Sequence, residues 1–154
     1  MLIKFTIPAV PVAQPRQRHS VVCGHVRNYT PSKHPVNAFK ATVAWCARAA
    51  YSGPIIDGPI GVYLNFVFPR TKNMIWKTKP MPRVWIPKRP DDDNLEKSVW
   101  DALSGVAWRD DCLICRNLTE KCYASGNEQP HVEVIIHTLD TYYSVFDKME
   151  LYII

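Results

Sequence analysis

Two kinds of hydrophobic spacing trade places along the 154 residues. Residues 2–7 (Leu-Ile-Lys-Phe-Thr-Ile) alternate with the period of two that sets successive side chains on opposite faces of a strand, and Pro8 and Pro11 stop the run. Residues 12–35 hold Pro15, Pro31 and Pro35 among basic residues and show no long apolar pattern, so they read as an extended basic loop. From Asn37 to Tyr51 the period lengthens. Phe39, Val43, Ala44, Cys46, Ala47 and Ala50 recur as on one face of a helix, which Gly53-Pro54 closes. Residues 60–68 return to alternation, with Val62, Leu64, Phe66 and Phe68 set against Gly61, Tyr63, Asn65 and Val67, and predict a strand with one face well buried. Pro69 ends it.

Residues 70–90 then carry seven Lys/Arg, Trp76, Trp85 and four prolines, a loop of a length that is usually functional or disordered. Asp93 to Ser104 predicts a second helix, with Leu95, Val99, Ala102 and Leu103 as its apolar stripe, Asp93 and Glu96 in capping-box spacing and Gly105 as its stop. Two further strands are expected at about 112–123 and 131–139, joined as an antiparallel hairpin by the turn-rich stretch 125–130. The fold class is therefore α+β, a small mixed sheet in β-α-β-α-β-β order with two helices packed on one face. A single domain spanning 1–154 is expected, with 140–154 either an extra strand or a tail that builds a dimer.

Composition narrows the setting. The apolar runs are too short for a membrane-spanning helix, and the N-terminus lacks the basic start and apolar stretch of a signal peptide, so the chain reads as cytoplasmic. Its five cysteines would stay thiols there. Cys112, Cys115 and Cys122 admit a zinc site if Cys23, His19 or His25 joined them, but no second paired motif accompanies them and small buried thiols are the better reading. Charge is more telling. Residues 1–90 hold fourteen Lys/Arg and one acid, Asp57, a net of +13, whereas residues 91–154 hold five Lys/Arg and thirteen Asp/Glu, a net of −8. A basic half beside an acidic cluster suits an enzyme acting on a phosphate backbone, with cations masking the acids.

The acids concentrate at Asp91-Asp92-Asp93 and again at Asp110-Asp111. Three adjacent carboxylates repel one another unless a cation or proton offsets the charge. Oxygen ligands with no histidine beside them suit Mg²⁺ or Mn²⁺. One of the three can cap a helix and meet its positive end, but three exceed what a cap requires. In an extended lead-in Asp91 and Asp93 share a side and can converge on an ion. Lys97 lies four residues after Asp93 on the same helix face; it either steadies charge on a phosphate or forms an i,i+4 pair with Asp93 or Asp101. The start of the next strand is expected near the helix entrance, so that one of Asp110 and Asp111, but not both, reaches back to Asp91 and Asp93.

The run Asp91-Asp92-Asp93-Asn94-Leu95-Glu96-Lys97, then Trp100-Asp101-Ala102-Leu103, then Trp108-Arg109-Asp110-Asp111, resembles the RusA family of Holliday-junction resolvases, common in phages and prophages. Its core pattern is D-x-D-N-L-x-K, a D-A-L near the helix end, and a D-D. Gln14-Pro15-Arg16-Gln17-Arg18 and Tyr29-Thr30-Pro31 are similar to the basic N-terminal loop of phage-type members, and the resemblance covers about residues 1–139. It implies that Asp91, Asp93 and Asp111 are the metal-binding acids, with Asp110 an alternative to Asp111, and that Lys97 is the lysine required for cleavage. It also implies a homodimer making paired cuts in four-way junction DNA with Mg²⁺ or Mn²⁺.

The expected function is a metal-dependent, structure-selective DNA endonuclease. The ion would lower the pKa of a bound water and stabilise the attacking and leaving oxygens. Arg16, Arg18, Lys72, Lys77, Lys79, Arg83, Lys88 and Arg89 would contact phosphates, and Trp76 or Trp85 would either stack on an unpaired base or pack in the core. Two alternatives stand beside it: a non-catalytic DNA-binding module of the same fold, and a small zinc protein.

Overall fold

The structure, a computed structural model, describes residues 1–16 and 31–139 in full, together with the backbone of 18–22 and 25–29. The elements run β1 (Leu2–Ile7), β2 (Arg18–Val22), β3 (His25–Tyr29), α1 (Pro35–Ala50), β4 (Ile60–Phe68), β5 (Val84–Trp85), α2 (Asp92–Leu103), β6 (Ile114–Tyr123) and β7 (His131–Thr138). Single 3-10 turns lie at Lys72–Met74 and Asp111–Leu113. Five strands form one mixed sheet in the order β1-β7-β4-β6-β5, while β2 and β3 pair apart from it. The α+β class and the two helices match the sequence pattern. The stretch 12–35 departs from it, since an antiparallel hairpin occupies part of the expected loop. The expected tail at 140–154 lies outside the described residues.

β4 sits at the centre because it is apolar on both faces. Ile60, Val62, Leu64 and Phe66 are buried against the helices, and Gly61, Asn65 and Val67 are buried on the opposite face. A strand covered on both sides accepts a parallel neighbour readily, and β4 pairs in parallel with β6 and antiparallel with β7. This corrects the expected hairpin of the last two strands. β6 and β7 flank β4 and do not pair with each other, and the connection between them crosses its end, where the Ala124 amide donates to the Phe68 carbonyl at 2.8 Å.

On the helix side one cluster gathers Ile3 and Ile7 of β1, Phe39 and Val43 of α1, Leu95, Val99 and Leu103 of α2, and Val132, Val134 and Ile136 of β7. Trp108 is fully buried beneath the end of α2, where its carbonyl accepts from the Gly105 amide at 2.7 Å. Gly105 is suited to that turn because its φ of 74° is one that side chains resist.

The long 70–90 segment is organised on Arg70, which sequence reading did not single out. Its guanidinium donates to the carbonyls of Ala124, Met74 and Pro82 and stands 5.6 Å over the Trp76 ring. Beyond it, Arg83 donates to Glu128 at 2.5 Å and to Glu133 at 2.9 Å, tying the approach to β5 onto the sheet face turned away from the helices. His131 Nε2 (3.1 Å) and the Asn65 amide (2.8 Å) also meet Glu133. No helix of the described chain is long and apolar enough to cross a membrane.

The Arg83 network has a pH signature. Arg83, with the Ser125 amide and hydroxyl, holds Glu128 down at about 2. Burial pushes Glu133 the other way, but Arg83, His131 and Asn65 outweigh it and bring it to about 2 as well. Both carboxyls hold protons more weakly folded than unfolded, so their stabilisation is present above the ordinary value of 4.5 and drains away as pH falls from there toward 2. Thermal midpoints measured from pH 7 to pH 2.5 are expected to drop steeply below 4.5 for the native chain and less steeply for Arg83→Met. Parallel curves for the two proteins would contradict this account.

Candidate functional site

α2 begins one residue earlier than its pattern predicts. Asp91 is the N-cap, in extended backbone (φ −74°, ψ 147°), and Asp92 and Asp93 form the first turn. The expected capping box of Asp93 and Glu96 is not formed, because Glu96 instead accepts from Asn117 of β6 at 2.6 Å. Nor does the Asp91 carboxylate cap the helix amides. An N-cap aspartate normally spends its side chain there; this one leaves its oxygens out of the cap. All three carboxylates are exposed at the positive end of the helix, which offsets part of their repulsion.

The three acids separate in role. Asp92 pairs with Lys121 of β6 at 3.1 Å, and the same ammonium donates to the Pro90 carbonyl at 2.7 Å. Asp93 accepts from the Asn94 amide at 3.1 Å. Asp91 lines a cavity of about 340 Å³ with Ala13, Gln14, Arg16, Arg89, Pro90 and Asn94. The basic N-terminal segment reaches this place because the Gln14 amide donates to the Asn94 carbonyl at 2.8 Å. Two guanidiniums and a carboxylate thus share one open cavity. Lys97 is exposed on α2 and forms neither of the expected i,i+4 pairs. Asp101 is taken by Lys40 of α1 at 2.7 Å, which leaves Lys97 without an ion-pair partner among the described residues.

Asp110 and Asp111 lie elsewhere. They precede β6 as a 3-10 turn, not as the start of a strand. Asp110 caps that turn by accepting from the Cys112 amide at 2.9 Å, which holds its carboxyl below the ordinary range. Asp111 accepts the Trp108 indole N–H at 2.9 Å and is half-buried.

The expectation that this turn lies near the helix entrance is corrected by the direction of the crossover. α2 returns antiparallel to β4 and β6, so its N-terminus lies by Lys121 toward the far end of β6, whereas Asp111 stands just before the strand's first residue, Ile114. The seven steps from Ile114 to Lys121 are roughly 23 Å of strand. Among the described residues no group of three or more His, Cys, Asp or Glu stands close enough to hold a metal ion together. Among the described residues of one chain, Asp91, Asp93 and Asp111 therefore do not meet as a set of three.

The basic residues also divide. Arg16 and Arg89 flank Asp91. Lys72, Lys77 and Lys79 are exposed along the Arg70-braced segment, and Lys88 stands 5.7 Å over the Tyr123 ring. Arg83 is committed to Glu128 and Glu133, so it belongs to the sheet network and not to the outward-facing cations. Arg18 opens β2, and its side chain lies outside the described residues. Neither candidate tryptophan packs in the core: Trp76 is 42% and Trp85 67% exposed.

Among the described residues the cysteines do not gather. Cys122 is buried beside Val67 and Ala124, while Cys112 and Cys115 are exposed at the other end of β6, against the expectation that they are buried thiols. They are exposed because the strand begins later than its apolar pattern suggests: Cys112 falls in the 3-10 turn and Cys115 at the register shift between Ile60 and Gly61 of β4. The side chains of Cys23, His19 and His25 lie outside the described residues.

Comparison with known proteins then decides the family. The family model for Endodeoxyribonuclease RusA matches residues 8–137. The chain belongs to the RusA family. At this level it is a nuclease of a family that acts on Holliday junctions. A relative from Bacillus subtilis (strain 168), bearing the name Uncharacterized protein YqaN, is 33% identical over 139 residues, covering 87% of this chain and 94% of its own length.

If Lys97 is a working group and not a strut, its removal should not matter to the fold. Lys97→Ala is expected to change unfolding free energy by less than about 0.5 kcal/mol. Lys40→Ala, which breaks a partly exposed pair, is expected to cost up to about 1 kcal/mol. Urea denaturation of both variants checks the contrast.

Proposed function

We propose that this RusA-family chain is a divalent-metal-dependent endonuclease that resolves four-way DNA junctions as a homodimer, by paired phosphodiester hydrolysis. The observation that carries the reading is the exposed Asp91, whose side chain makes no cap hydrogen bond, in one cavity with Arg16 and Arg89, two residues before Asp93 and ahead of Lys97, which forms no ion pair among the described residues. A carboxylate left out of the helix cap, in one cavity with two arginines, suits a phosphodiester whose charge the arginines hold and whose reaction the acid serves.

Asp91, Asp93 and Asp111 are the residues proposed to bind Mg²⁺ or Mn²⁺, and their oxygen-only chemistry fits either ion. Such an ion supplies Lewis acidity and a more acidic bound water. Asp111 lies across the crossover from the other two, so a second copy is proposed to bring its own Asp111 to the first copy's helix entrance. A two-fold pair also fits a four-way junction, which is itself nearly two-fold symmetric. Lys97, which forms no ion pair among the described residues, would attract the scissile phosphate. Arg16 and Arg89 would orient the phosphate next to Asp91, while Lys72, Lys77, Lys79 and Lys88 would hold more distant phosphates, making binding strongly salt-dependent.

Two experiments test this. Asp93→Asn is expected to bind a synthetic four-way junction like the native protein and to cut it, with Mg²⁺ present, at least about a hundredfold more slowly; equal cutting would remove the assignment. Mixing Asp93→Asn with Asp111→Asn tests the shared site. A mixed dimer would contain one intact combination, so single-strand nicking is expected to return. Two inactive proteins that stay inactive when mixed and refolded together would place each site within one chain.

A further inference from the structure

On the sheet face turned away from the helices, Asn65, Arg83, Trp85, Glu120 and Cys122 line a cavity of about 230 Å³. Most of its polar groups are already committed. The Asn65 amide donates to Glu133 at 2.8 Å and its oxygen faces the Cys122 thiol at 3.8 Å. Arg83 is held by Glu128 and Glu133. Glu120 differs. Its Oε2 accepts the Tyr63 hydroxyl at 2.6 Å, and its Oε1 accepts no hydrogen bond among the described residues. Above this carboxylate stands Trp85, 67% exposed on a strand of only two residues. β5 pairs only with Cys122 and Tyr123, so the edge of β6 at Glu120 and Thr119 is left open. A second groove runs there, lined by Trp85, Ile86, Asp92, Thr119, Glu120 and Lys121. Trp85 and Glu120 thus belong both to the cavity and to the groove that leads to the start of α2.

From this geometry we infer that the cavity receives one unpaired base, preferentially guanine, from a DNA strand lying along the start of α2. The inference rests on the nuclease reading for the placement of that strand. The cavity is smaller than the pockets that take drug-sized ligands, and suits a single ring system. An exposed indole offers any base a stacking face. The carboxylate makes the choice. Guanine presents two adjacent donors, N1–H and the N2 amino group, which a carboxylate accepts together, since each oxygen has two lone pairs and Oε2 retains one beyond its bond from Tyr63. Adenine and cytosine set their amino group beside a ring-nitrogen acceptor that repels a carboxylate, and thymine flanks its one N–H with two carbonyls. Junction DNA is a suitable donor of such a base, because unpairing costs least where stacking is already interrupted.

The test is binding without cleavage. The full chain, with EDTA present, is titrated by fluorescence anisotropy against a short oligothymidylate carrying one central guanine, inosine, adenine or cytosine. Guanine is expected to bind about tenfold more tightly than the others, and inosine, which lacks the N2 amino group, to lose most of that gain. Glu120→Gln is expected to erase the preference. Trp85→Ala should weaken all four by about tenfold, with Trp85→Phe restoring most of the loss. Equal affinity for the four oligonucleotides, or an undiminished guanine preference in Glu120→Gln, overturns the inference. Junction cutting with Mg²⁺ is scored separately. Guanine preference in a protein that cuts nothing would sustain the pocket and remove the nuclease reading, whereas cutting without preference would do the reverse.

Discussion

The double-sided burial of β4 is the constraint from which the remaining arrangement follows. One face of that strand needs both helices and the other needs the Asn65–Glu133–Arg83 network, so β4 takes the middle of the sheet. Once it does, α2 must cross back over the sheet to deliver β6 in parallel beside it. That crossover fixes the direction of α2 and puts its first turn, with three aspartates, at one end of the molecule. The N-terminal segment is pinned to the same end by the Gln14–Asn94 backbone bond, which brings Arg16 and Arg89 together around Asp91. A core decision thereby becomes an electrostatic one.

The same crossover separates what the motif groups. Asp111 follows Asp93 closely in sequence, yet the helix and strand between Asp93 and Lys121 run in opposite directions and carry the two ends of the motif apart. Each end has its own anchor. Asp92 is held by Lys121 and Asp111 by the Trp108 indole, whose ring is fully buried. Among the described residues these anchors leave Asp91 at the helix entrance and Lys97 in mid-helix without an ion pair. In the proposed dimer a second copy would supply the third carboxylate, and this is why the proposed activity and the proposed dimer stand together.

The 70–90 segment shows how a proline-rich, strongly basic stretch can be ordered without regular structure. Arg70 substitutes for a ladder of backbone bonds by reaching three carbonyls at once, and Arg83 joins the segment to the sheet through two carboxylates. The segment's lysines stay exposed. Of the segment's two tryptophans, Trp85 stands over a cavity with a half-used carboxylate, a combination that a stacking surface alone does not require.

What the sequence by itself determined was whatever depends on local spacing. The β1, α1, β4 and α2 periodicities are carried by residues within one or two turns of each other, and the strings Asp91–Lys97, Trp100–Leu103 and Trp108–Asp111 carry the family. The pattern could not show that β6 and β7 flank β4, because two turn-linked strands look alike whether they pair directly or around a third. It could not show that Cys112 and Cys115 are exposed, because a 3-10 turn and a register shift displace an apolar run without altering its composition. The end of the crossover at which Asp111 lies, the loss of Arg83 to two glutamates and the pairing of Asp101 with Lys40 were likewise decided by the tertiary structure. Each depends on partners tens of residues away, and strand order and helix direction are set by the burial of a whole sheet, not by any one segment.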